Sequence, residues 1–101
     1  MTPDQKSRAV LLYLSVGRLP MPYRDPEALI TEFGTDEGEK LEKYVQGLLS
    51  EIFSIPTQEH WQEHSLVSLT NAAKAGMRVR HPELSDEVIQ ALGWAFSFYS
   101  R

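Results

Sequence analysis

The chain has 101 residues, 42% hydrophobic and 24% charged, which excludes disordered and fibrous classes and leaves one domain with one core. It has no cysteine, so disulfide frameworks, thiol nucleophiles and cysteine-based zinc knuckles are excluded. The net charge of −4 is unevenly spread, with −8 over residues 25–65, +3 over 1–24 and +1 over 66–101, a distribution that disfavours nucleic acid and anionic membrane and would suit a basic partner.

Thr2-Pro3-Asp4-Gln5 reads as an N-cap, a proline at the first helical position and a capping-box glutamine. A helix is predicted from there to about Val16, with Gly17 ending it. Its segment Ala9 to Leu14 is apolar almost all round, which predicts a central, well-covered helix. That run is too short to span a membrane and no small-residue cleavage pattern follows, so a soluble cytoplasmic protein is expected.

The loop Gly17 to Pro26 contains Pro20, Pro22 and Pro26, which fix their own φ and push Leu19, Met21 and Asp25 towards extended backbone. A stiff loop presenting Leu19, Met21, Tyr23, Arg18 and Arg24 loses little entropy on docking and is a candidate recognition surface. The same loop could serve as a rigid connector whose Leu19 and Met21 seal one end of the core.

Asp25-Pro26-Glu27 repeats the cap-then-proline signal and opens a short helix closed by Gly34. Thr35-Asp36 is expected to cap a third helix, in which Leu41, Tyr44, Val45, Leu48, Leu49 and Ile52 recur at three- and four-residue steps. Gly34 to Gly38 holds two glycines without a following Lys-Ser/Thr, so it reads as a helix-to-helix turn and not a phosphate loop. Pro56 stops the third helix and Thr57 can cap a fourth over about 58–75, burying Leu66, Leu69 and Ala73, with Gly76 as terminator.

Ser85-Asp86-Glu87 caps a last helix through Val88, Ile89, Leu92, Ala95, Phe96 and Tyr99. Trp94, Phe96 and Phe98 also alternate in the manner of a strand, but no second convincing strand exists to pair with them. The expected fold is therefore all-α: a small irregular orthogonal bundle of four to five helices over residues 1–101, with the first and last helices near the centre.

Besides the proline loop, three sets of residues could carry chemistry or recognition. His60-Trp61-Gln62-Glu63-His64 has the H-x-x-E-H order used by inverted zinc peptidases. On a helix, His60 and His64 would stand one turn apart, with Glu63 beside the metal to take a proton from bound water. A metal-binding protein or zinc-dependent hydrolase is thus the competing reading. Against it, the match ends at five residues, no third ligand is named by spacing, and 101 residues hardly provide a deep cleft. Surface imidazoles are the expectation, and zinc titration of the protein and its His60→Ala, His64→Ala variant separates the two.

The second set is the basic segment around Arg78, Arg80 and His81, which could offer forks to carboxylate or phosphate or merely complement a helix C-terminus. Third, Trp94 and Phe98 form with Ala91 a second stripe on the last helix, about 100° from the core stripe. A partner protein or a second copy in a homodimer would bury it, unless neighbouring helices do.

No G-x-S-x-G elbow, glycine-rich phosphate loop or telling carboxylate pair is present, so no catalytic residue and no cofactor is expected. The expectation is a non-enzymatic protein-binding module, such as a small adaptor, inhibitor or immunity-type protein. Its candidate contact residues are Tyr23, Arg24, Arg78, Arg80, His81, Trp94 and Phe98.

Overall fold

A computed structural model describes residues 2–55 and 65–99. Among these residues there are five α-helices and no strand: α1 Pro3–Tyr13, α2 Pro26–Phe33, α3 Thr35–Ser54, α4 Leu66–Arg80 and α5 Asp86–Tyr99. The all-α bundle expected from periodicity is the architecture found.

The local signals act where they stand in the chain. Thr2 accepts from the Gln5 amide while the Gln5 side chain accepts from the Thr2 amide, a complete capping box followed by Pro3. Asp25 caps α2 through the Ala28 amide, and Ser85 caps α5 through the Val88 amide.

Four boundaries differ from expectation. α1 ends at Tyr13, not Val16, because Ser15 turns into the left-handed region at φ 61°. α3 starts without the expected side-chain cap, since Thr35 already lies inside it and Gly34 is the N-cap at φ 87°. That positive φ suits glycine and lets α2 pass into α3 with no intervening loop. Gly38 is no turn residue either. It lies within α3, where a Cβ would come within 3.0 Å of the Ile30 backbone and the Leu29 carbonyl, so its missing side chain lets α2 and α3 meet at backbone distance.

α4 begins at Leu66, capped by Ser65, and passes through Gly76 to Arg80. Gly76 does not stop it because a glycine terminates a helix only when it takes the left-handed form, which Gly76 does not. The expected cap at Thr57 lies outside the described residues.

The core draws on every helix: Val10 and Leu14 from the first segment, Leu29, Leu41, Val45 and Ile52 from α2 and α3, and Leu69 and Met77 from α4. Ile89, Leu92 and Phe96 complete it from α5. α3 packs on all four other helices, so it is the hub, with α5 against α1, α3 and α4. The first and last helices, expected near the centre, each contact three others, and α3 is more central than either. At 20 residues α3 is the longest helix among those described, and its stripe of Leu41, Val45, Leu48, Leu49 and Ile52 is buried along most of its length. No helix among the described residues is long and apolar enough to cross a membrane.

Candidate functional site

The segment from Ser15 to Asp25 is irregular backbone held by several bonds to the helices around it. Ser15 is 1% exposed and adopts a left-handed conformation that costs a non-glycine residue roughly 1 kcal/mol or more. Its hydroxyl offsets that cost by donating to the Tyr23 carbonyl at 2.8 Å across the loop. Two backbone rungs close the base: the Tyr23 amide donates to Leu14 at 3.3 Å and the Asp25 amide to Tyr13 at 2.8 Å.

Arg18 adds a side-chain strut, donating to the Leu12 carbonyl at 2.8 Å and to the Asp25 carboxylate at 3.3 Å. From the far end of the chain, the Tyr99 hydroxyl donates to the Pro22 carbonyl at 3.3 Å. With its prolines, this leaves the loop little freedom to lose. Yet Leu19, Met21 and Tyr23 stand 45%, 49% and 59% exposed on it. Leu19 and Met21 therefore do not seal the core.

A cleft opens at each end of this loop. One, of about 490 Å³, lies between the loop and α5 and is walled by Val16, Leu19, Ala91 and Trp94, with Glu87 and Gln90 among its lining. The other, of about 580 Å³, lies between Arg24 and α3 and is lined by Gln46, Leu49, Ser50, Phe53 and Ser54. Arg24 lies over the Tyr99 ring at 5.5 Å, and Tyr99 in turn contacts Phe53 edge-on at 6.5 Å.

The structure thus brings Pro22 and Arg24 together with Tyr99, and brings Trp94 beside the start of the same loop. Phe98 meets Tyr99 edge-to-face at 5.4 Å, and both Trp94 and Phe98 are half-buried. The second aromatic stripe is covered in part by its own fold.

Arg78, Arg80 and His81 form a separate group at the C-terminal end of α4, and it is not an open cationic patch. Arg78 is bound to Asp86 at 2.8 Å, and Arg80 approaches Glu51 at 3.9 Å. The hydrogen bond from Arg78, followed by one from Gln90, holds the Asp86 carboxyl below its ordinary range. His81 sits between two carboxylates, Glu51 at 2.9 Å and Glu83 at 3.3 Å. Lys74 is likewise engaged, by the Gln90 side-chain oxygen at 3.1 Å. Arg78, Arg80 and His81 thus each have an acidic partner within the fold, and the contacts tie the end of α4 to α3 and α5 as a latch.

His60, Glu63 and His64 lie outside the described residues. Among the described residues no group of three His, Asp or Glu side chains is placed to hold a metal ion.

Sequence reasoning missed Ser15, Glu51 and Tyr99 as parts of these sites. Ser15 stood inside a predicted helix. Its only local hint was a serine preceding Val16-Gly17, where a hydroxyl can bond back to the chain. Glu51 and Tyr99 carried no signal, because their partners are 30 and 77 residues away. Comparison with family models, with curated proteins and with solved structures finds no match to this chain.

Proposed function

We propose that the chain is a non-enzymatic protein-binding module that recognises its partner through the loop Ser15 to Asp25 and the cleft between that loop and α5. The observation that carries this reading is the contrast within the loop. Its backbone is pinned by Ser15, by two rungs and by Tyr99, while its large apolar tips point outward.

Ordered backbone with exposed Leu, Met and Tyr side chains is what a binding surface needs, because little conformational entropy remains to be lost on docking. The adjoining wall of Val16, Ala91 and Trp94 can take an apolar anchor from the partner.

Capture by the immobilised chain from its native host tests the reading. A partner held by the wild type should be lost with Leu19→Asp and with Trp94→Ala, and retained with Val79→Asp on the remote, 82% exposed flank of α4. Capture unchanged by Leu19→Asp would overturn it. If the partner is a second copy, sedimentation at high concentration shows a dimer that Trp94→Ala weakens.

A further inference from the structure

We propose that the cleft beside Arg24 binds a carboxylate carried on an apolar body and presented by the partner polypeptide, a reading that rests on the protein-binding function above. Arg24 is held from both sides. The amides of its neighbours Tyr23 and Asp25 are bonded to Leu14 and Tyr13 at the end of α1, which fixes its backbone. Its guanidinium rests on the Tyr99 ring at 5.5 Å, and that ring is itself tied to the Pro22 carbonyl. That contact uses none of the guanidinium N–H donors, and no hydrogen bond among the described residues does, which leaves the fork that matches a carboxylate.

No carboxylate among the described residues occupies that fork. The acids next in sequence to Arg24 and to Ser50 are engaged elsewhere: Asp25 by Arg18 and the Ala28 amide, Glu51 by His81. The cleft then offers the complementary surfaces. Leu49 and Phe53 give it an apolar wall, and the Ser50 hydroxyl, without a partner among the described residues, adds a polar group beside them. About 580 Å³ accommodates one large side chain together with its carboxylate. Arg24 is the only charged group lining the cleft among the described residues, so the charge complement of the site is a single anion.

Amide NMR titration of the full isotope-labelled chain provides the test, with acetyl-Gly-Ser-Gly-Phe bearing a free terminal carboxylate as probe. The acid peptide should shift the Arg24, Ser50 and Phe53 signals saturably, and its C-terminal amide should bind about tenfold more weakly. Arg24→Gln should reduce the acid peptide to the level of the amide. Arg24→Lys should recover only part, since an ammonium supplies charge without the fork. Equal binding of acid and amide, no saturable shift with either, or no effect of Arg24→Gln overturns the proposal. Hydrocinnamate binding as tightly as the peptide overturns the polypeptide occupant in favour of a free small acid. Leu19 lines the other cleft. Partner capture lost with Leu19→Asp, alongside no acid preference here, therefore sinks this inference and leaves the broader reading standing.

Discussion

The Nε2 atom of His81 meets the Glu51 carboxylate at 2.9 Å, joining the end of α4 to the last turn of α3. The other ring nitrogen faces Glu83 at 3.3 Å, so both nitrogens look at groups that only accept. A neutral imidazole can donate from one nitrogen alone, and the arrangement therefore fits the charged form. Burial pulls the imidazole down, but the hydrogen bond and charge of Glu51, then those of Glu83, outweigh it and raise the pKa above the ordinary 6.5. The same two carboxylates, after burial, push the Tyr44 hydroxyl up.

A pKa raised on folding contributes stability that is fully present below the unfolded value of about 6.5 and is lost as pH rises through the folded value. Urea unfolding of the wild type should accordingly show stability falling as pH rises from that point, with a shallower fall in Glu51→Gln. An NMR titration of the His81 ring should place its midpoint higher in the wild type than in Glu51→Gln. Coincident midpoints would remove the latch.

Ser15 combines a backbone cost with a side-chain gain, and two substitutions separate them. Ser15→Ala keeps the left-handed φ and removes the bond to the Tyr23 carbonyl, so it should destabilise by about 1–2 kcal/mol. Ser15→Gly loses the same bond but relieves roughly 1 kcal/mol of strain, and should cost clearly less. Denaturant melts that rank the two the other way would show that the loop is not held as described.

Leu14 and Leu19 lie five positions apart on either side of the turn and should behave oppositely. Leu14 is fully buried, and Leu14→Ala should cost about 2–5 kcal/mol. Leu19 is 45% exposed, and Leu19→Ala should stay within about 0.5 kcal/mol of wild type while weakening partner capture. Thermal melts beside capture assays check both halves. A large stability loss at Leu19 would make the loop a core seal and not a contact surface.

The two glycines inside α3 offer a packing test. Gly47 has open space around a built Cβ, so Gly47→Ala should stabilise by roughly 0.5–1 kcal/mol through helix propensity alone. At Gly38 the added methyl would press on the Ile30 and Leu29 backbone at 3.0 Å, which cannot yield as a side chain can. Gly38→Ala should therefore be destabilising, by about 1–3 kcal/mol. Equal effects at both positions would mean that α2 and α3 are further apart.

What the chain encodes locally was legible. The capping box at Thr2, the Asp25-Pro26 start, the Ser85 cap and the apolar stripe of α3 all act within one or two turns of themselves, so period and cap chemistry identify them. The stiffness of the proline loop is of the same kind, since each proline restricts its own φ and the residue before it.

Tertiary structure decided everything that depends on a distant partner. Whether Gly76 ends a helix or continues it follows from its backbone conformation in the packed bundle, and whether Arg78 and Arg80 are free cations follows from where Asp86 and Glu51 arrive. The strained turn at Ser15 exists because Tyr23 returns to meet it, and Arg24 is oriented because Tyr99 arrives from 75 residues further along the chain. Such pairings are made by the return path of the chain. No periodicity or composition records that path, because each side chain has the same identity whether or not its partner comes back to it.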